Sequence, residues 1–314
     1  MSIETGDWII EACNLSYMYP DGTQALRGVS LKIPKGGKIA LLGSNGAGKS
    51  TLFLHLNGIL RPREGVVRFA GSDLKYDRQT LLELRKNVGI VFQDPDSQLF
   101  SASVYQEISF GPLNLGLPEE IVRERVETAM AATGTGEFRQ RPTHMLSYGQ
   151  KKRVCIAGIL AMNPSVMVCD EPTAWLDPKN ARQIISLFNQ IASDGTTVII
   201  STHDVNLAYS WADYVFIMAE GNIMGEGDPE SVFRDEILMY KTNLEKPWLV
   251  EIHEILLKKG CFPADSSMPR NRDELYQLLR NNNMCRREEM LNDFNNIRDE
   301  GRERNNVTLG IKRL

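Results

Sequence analysis

Hydrophobic and polar positions alternate along the chain in short, repeated blocks. Trp8-Ile9-Ile10-Glu11-Ala12 through Leu15-Ser16-Tyr17-Met18-Tyr19 predicts a strand that ends at the turn Pro20-Asp21-Gly22. Ala25 to Ile33 alternates well enough for an antiparallel partner and ends at Pro34-Lys35-Gly36-Gly37. Lys38-Ile39-Ala40-Leu41-Leu42 is an apolar run of buried-strand length, and a helix is expected to open at Thr51-Leu52-Phe53. Further strands are predicted at 65–71, 88–92, 165–169, 196–200 and 214–218, with helices at 78–87, 178–192 and 204–210. The last strand is expected to turn at Ala219-Glu220-Gly221-Asn222. Strands alternating with helices imply a largely parallel sheet covered on both faces.

Between Asp94 and about Met162 the rhythm changes, and helices are predicted at Val104–Phe110, Pro118–Ala132 and Tyr148–Met162. Val122, Val126 and Met130 share one face, while Pro118 opens that helix and Gly134 closes it. A helical insert therefore divides an α/β core. Beyond Asp228 the α/β rhythm stops, leaving short helices at 249–257 and 273–279 joined by Gly260-Cys261-Phe262-Pro263. The expected organisation is one domain over 7–235 with its insert at about 94–162, a small helical appendage over 236–283, and a polar, mobile tail over 284–314.

Gly43-Ser44-Asn45-Gly46-Ala47-Gly48-Lys49-Ser50-Thr51 lies between a strand and a helix, the setting that the G-x-x-x-x-G-K-[ST] pattern requires. Glycines let backbone N–H groups turn inward, and the helix N-terminus adds partial positive charge, so the loop reads as a phosphate cradle. Lys49 would reach the β- and γ-phosphates, and the Ser50 hydroxyl would sit on Mg²⁺. Composition narrows the partners. A net charge of −4 gives no basic field, so no nucleic-acid partner is expected. Apolar runs stay far below the roughly 18 residues of a membrane span, and Met1–Asp7 is polar and acidic, unlike a signal peptide. The five cysteines are scattered without C-x-x-C spacing, which predicts free thiols in a reducing compartment. His55, His144 and His253 lack paired spacing, and no metal site made by protein side chains alone is expected.

Four further stretches follow the glycine loop in order: Phe92-Gln93-Asp94, Leu146-Ser147-Tyr148-Gly149-Gln150, Val168-Cys169-Asp170-Glu171-Pro172-Thr173 and Ser201-Thr202-His203-Asp204. Together they resemble the Q-loop, signature motif, Walker B and H-loop of ABC-type ATPases, over about Trp8 to Glu230. The runs 92–100, 110–117 and 146–162 look like those of the cobalt/nickel importers of the energy-coupling-factor group; vitamin importers of that group share much of them. The resemblance implies an α/β P-loop NTPase fold: a mainly parallel core sheet, an antiparallel β subdomain, an inserted helical subdomain and a small, mostly helical C-terminal appendage.

That resemblance also implies roles. ATP would be held by Gly43, Ser44, Asn45, Gly46, Ala47, Gly48, Lys49, Ser50 and Thr51, with Tyr19 stacking on adenine and Tyr17 as its rival on the same strand face. Mg²⁺ would sit on Ser50, Gln93 and Asp170. Glu171 would be the general base, with His203 sensing the γ-phosphate and orienting base and water. Ser147, Gly149 and Gln150 would contact ATP held by a second copy, and Asp177 would belong to the D-loop. Tyr148 stands where the family more commonly has glycine, so its side chain must point away from the phosphate. The implied activity is ATP hydrolysis coupled to import. The implied partners are a second ATP-binding subunit, identical or not, transmembrane permease subunits and a substrate-binding membrane component. The chain would be peripheral, at the cytoplasmic face of the membrane, docked beside Gln93 and Phe110-Gly111-Pro112. A soluble ABC ATPase acting on nucleic acid or ribosomes is the rival from another class; the acidic balance and the single cassette stand against it.

Overall fold

The apolar runs fold into two sheets and a helical layer, in a computed structural model that describes residues 8–281. β1 (Trp8–Met18) and β2 (Gln24–Pro34) pair antiparallel. β3 (Lys38–Leu42) and α1 (Lys49–Leu56) flank the glycine loop. β4 (Glu64–Phe69) and β5 (Ser72–Asp73) complete an antiparallel sheet in the order β2-β1-β4-β5. α2 (Arg78–Asn87) leads into β6 (Val88–Val91). α3 (Val104–Asn114), α4 (Glu119–Thr133) and α5 (Tyr148–Ala161) make the insert. The chain then returns through β7 (Val166–Cys169), α6 (Pro178–Ser193), β8 (Thr197–Thr202), α7 (Val205–Trp211), β9 (Tyr214–Ala219) and β10 (Asn222–Gly227). The second sheet runs β10-β9-β3-β8-β7-β6, parallel throughout except for β10. This is the P-loop NTPase architecture expected from the sequence.

Strands β6, β7 and β8 are buried along their whole length, as uninterrupted apolar runs in a two-sided parallel sheet must be. One core joins Leu52, Phe53 and Leu56 of α1 to both sheets. A second, built on Val104, Ile108, Val126, Met130 and Val154, belongs to the insert. The insert is tied to the core sheet at a point where a side chain has been given up: a Cβ on Gly89 would lie 2.2 Å from Cγ2 of Ile159, so β6 and α5 pack in near-backbone contact.

The structure departs from the sequence expectations at several elements. α3 runs on to Asn114 instead of stopping at Phe110, carrying Pro112 inside it, because Pro112 is buried and Gly111 packs closely on Met162. β10 follows the expected turn at Ala219-Glu220-Gly221-Asn222 without being expected itself; as a half-exposed edge strand with two glycines it lacks an apolar alternation. The helices α8 (Pro229–Arg234) and α9 (Glu236–Thr242) extend the first unit past 235, with Leu238 lying on Gly225 of β10.

The described residues divide into two compact units, one up to Lys246 and one from Pro247. In the second, α10 (Trp248–Lys258) and α11 (Arg272–Asn281) fall where the appendage helices were expected. The tail at 284–314 lies outside the described residues. Cys13, Cys155 and Cys169 are free, whereas Cys261 is disulfide-bonded, so the expectation of five free thiols does not hold. Scattered spacing does not prevent a bond that the fold closes, and cysteine usage therefore assigns no compartment. Among the described residues no helix is long and apolar enough to cross a membrane.

Gly89→Ala should lower stability by about 1–3 kcal/mol through overpacking against Ile159. Adding Ile159→Ala should restore part of that loss, as read from the urea midpoints of the two variants and of the pair.

Candidate functional site

The loop after β3 is fixed by close backbone approaches. A Cβ on Gly43 would come within 2.3 Å of the Met218 carbonyl oxygen, and one on Gly48, at φ +105°, within 2.5 Å of the Ala25 carbonyl oxygen. The Gly43 amide donates to the Thr202 carbonyl at 3.3 Å, which pins the loop to the end of β8. Gly48 caps α1 without any side-chain acceptor, so the first-turn amides of that helix remain free of a side-chain cap. Lys49 is buried and folds over the loop, its Nζ donating to the Gly43 carbonyl (2.6 Å) and the Ser44 carbonyl (3.1 Å).

A cleft of about 410 Å³ lies over this loop, lined by residues 44–51 together with Tyr19, Gln93, Asp170 and Glu171. Its lining chemistry fits a nucleoside triphosphate with magnesium. The glycine backbone leaves room beside uncapped amides, and the Ser50 hydroxyl, Gln93 amide and Asp170 carboxylate bring hard oxygen donors to one cleft. The two candidate tyrosines separate. Tyr19 lines the cleft and its hydroxyl lies 3.0 Å from Thr51 Oγ1. Tyr17 packs against the core, edge-on to His55.

The carboxylates are positioned by β7 and β8. Asp170 continues the strand pairing, its amide donating to the Val91 carbonyl. Ser201 then ties both acids together: its hydroxyl donates to Asp170 Oδ1 (2.5 Å) and accepts the Glu171 amide (2.8 Å). Both acids are buried. Glu171 faces Lys49 Nζ at 3.5 Å and His203 Nδ1 at 3.1 Å from either carboxylate oxygen. An ionised carboxylate only accepts, so Nδ1 carries the proton in this contact. In the sequence, Ser201 stands in the stretch Ser201-Thr202-His203-Asp204 with no sign of this task. Its partners lie 30 and 31 positions away, so no local signal could have revealed it.

Ser147 caps α5 in a capping box, its Oγ accepting the Gln150 amide while Gln150 Oε1 accepts the Ser147 amide. Tyr148 points away from that cap, and its hydroxyl donates to the Gln93 carbonyl at 3.0 Å. Asp177 caps α6, accepting the Asn180 amide, the Asn180 side chain and the Lys179 amide, and these hydrogen bonds hold its carboxyl below the usual carboxylate range. Ser147, Gly149, Gln150 and Asp177 do not line the cleft of their own chain. Trp175, beside Asp177, is 82% exposed. On the insert, Phe100 and Phe110 are exposed and stack edge to face at 4.7 Å, with exposed Leu113 on the same helix as Phe110.

Comparison with known proteins gives one answer. The family model described as ABC transporter matches residues 26–174. The chain is 52% identical over 258 residues to the energy-coupling factor transporter ATP-binding protein EcfA of Methanocaldococcus jannaschii, covering 82% of this chain and 92% of that one. It is 46% identical over 260 residues to EcfA2 of Clostridium perfringens, covering 82% and 91% of the two chains. Among solved structures it resembles CbiO1 from Clostridium perfringens, described as part of the ABC transporter complex CbiONQ. That match has a TM-score of 0.68 at 46% identity and covers 79% of this chain and all of that one. A dimeric ATP-binding cassette bound to ADP and Pi in a post-hydrolysis state matches with a TM-score of 0.64 at 27% identity, covering 70% and 98%.

Ser201→Ala removes the hydroxyl shared by Asp170 and the Glu171 amide. ATP turnover should fall by about tenfold or more, the scale of one lost charge-assisted hydrogen bond, with the magnesium concentration for half-maximal rate raised. Steady-state phosphate release against magnesium concentration checks both.

Proposed function

The chain belongs to the energy-coupling factor transporter ATP-binding proteins of the ABC transporter family, ATPases that use ATP with Mg²⁺, and on that premise we propose that it drives a membrane importer as one half of a nucleotide-sandwich pair. One observation carries this reading. The cleft gathers a phosphate loop and two buried acids, one of them hydrogen-bonded to His203, yet Ser147 sits exposed at a helix start that does not line it. Each chain thus offers half of a site to the other. The likeness to a dimeric cassette and to CbiO1 of the CbiONQ complex supports a paired arrangement with membrane partners.

In this reading the amides at the start of α1 and the Lys49 ammonium bind the β- and γ-phosphates, and Tyr19 takes the adenine face. Ser50, Gln93 and Asp170 would hold Mg²⁺, which when bound neutralises charge across the phosphate oxygens. Glu171 accepts the proton of the attacking water at a carboxylate oxygen, and His203 Nδ1–H keeps that carboxylate aimed. Ser147 and Gly149 of a second subunit close over the γ-phosphate and exclude bulk water. Closing and reopening then move the insert against permease subunits seated on the apolar patch of Phe100, Phe110 and Leu113. The chain works as a peripheral subunit on the cytoplasmic face of the membrane. Cobalt or nickel is the cargo favoured by the runs 92–100, 110–117 and 146–162, with recognition of the cargo assigned to a separate membrane component.

Glu171→Gln should reduce hydrolysis to background while ATP-dependent dimers accumulate, measured by phosphate release and by sedimentation with and without ATP and magnesium. Continued turnover would remove Glu171 from the base role.

A further inference from the structure

Tyr148 is the position where the sequence departs from the commoner glycine, and its side chain has a specific occupation. Its hydroxyl donates to the Gln93 carbonyl at 3.0 Å. The same carbonyl accepts from Lys152 Nζ at 2.7 Å, and Lys152 also donates to the Phe92 carbonyl at 2.9 Å. Lys151 forms an ion pair with Asp96 at 2.5 Å. Residues 148, 151 and 152 lie at i, i+3 and i+4, so one face of the first turns of α5 grips the segment 92–96.

Lys152 is a costly way to make this contact. It is fully buried, and burial pulls its pKa below the ordinary lysine value, opposed by the thiols of Cys155 and Cys169 and by Asp170 and Asp94. A buried ammonium is tolerated only where its donors are used, and here two strand-end carbonyls use them. Behind the turn, Gly89 and Ile159 keep β6 and α5 in near-backbone contact. The turn that presents Gln93 to the cleft and the turn that exposes Ser147 are therefore braced by the same helix.

We propose that Tyr148 is a positioning residue: with Lys152 it latches the Gln93 carbonyl to the start of α5, so that the magnesium-side turn of one nucleotide site and the Ser147 turn offered to the partner's site move as one piece. The inference rests on the nucleotide-sandwich reading for its second half, whereas the latch itself belongs to the single chain. Tyr148 touches no phosphate; it acts through Gln93 and Ser147. Removing only its hydroxyl should loosen the Gln93 turn and weaken closure, while leaving nucleotide affinity of the separate chain as it was.

The test is Tyr148→Phe in the full chain, alone and combined with Glu171→Gln. Hydrogen exchange followed by mass spectrometry, without nucleotide, should show faster exchange at 92–96 and 147–152 and no change in α1. The Tyr148→Phe chain should bind a fluorescent ATP analogue with unchanged affinity, lose kcat by about fivefold, the worth of one neutral hydrogen bond, and keep its KM. In the Glu171→Gln background, ATP-dependent dimerisation should weaken by a similar factor. Unchanged exchange at 92–96 would overturn the latch, as would a rate loss explained wholly by KM. If Glu171→Gln alone never dimerises with ATP, the sandwich reading fails, and the exchange result still decides whether the latch exists.

Discussion

Two buried opposite charges set the terms for the site. The Lys49 ammonium and the Glu171 carboxylate lie 3.5 Å apart, each about 6–7% exposed at the side chain. Withdrawing charges from water is expensive, and mutual attraction alone rarely repays it. The pair is sustained because each member has further partners: two loop carbonyls for Lys49, and His203 for Glu171. Lys49 closes the loop after β3, Glu171 follows β7 and His203 follows β8, so the pairing requires those three strands to end at one edge of the sheet. The parallel order β3-β8-β7 brings them there. In the proposed reaction the γ-phosphate competes for the same ammonium, which leaves the carboxylate to its histidine and to water.

The turn after β7 carries strain that its hydrogen bonds hold in place. Glu171 has φ +42° and Trp175 φ +64°, both in the left-handed region with side chains present. Such residues cost of order 1–3 kcal/mol each and persist only where surroundings over-determine them. Here the Glu171 amide is fixed by Ser201, the Ala174 amide by the Glu171 carbonyl, and the Leu176 amide by the Thr173 carbonyl. The strain aims the acid into the cleft and turns Trp175 out to 82% exposure.

What the sequence could disclose was whatever lies close along the chain. The phosphate loop was legible because its glycines, lysine and serine are consecutive and flanked by an apolar strand and a helix. The helices of the insert were legible from Val122, Val126 and Met130 on one face, all three of them buried. The Ser201 bridge, the Lys152 contacts and the Tyr148 hydroxyl were not, because their partners lie about 30 to 60 positions away. Tyr148 could be flagged as a departure, but the carbonyl that receives it could not. Pro112 shows the opposite case: a proline inside a helix carries a local penalty, and here it is tolerated with its ring buried.

Glycines at Gly43 and Gly149 look alike in sequence and differ in what demands them. At Gly43 an added Cβ would strike the Met218 carbonyl at 2.3 Å, so the single chain forbids any side chain there. At Gly149 the added atom would meet Asn180 and Leu176 at 3.4–3.5 Å, which is ordinary packing, and φ is not positive. Nothing within one chain therefore requires glycine at 149. The space it leaves opens beside an exposed Ser147, on a turn already braced from within by Tyr148 and Lys152. In the proposed pairing, this turn, braced from behind and exposed in front, would be the part of the chain that faces the phosphate held by another copy.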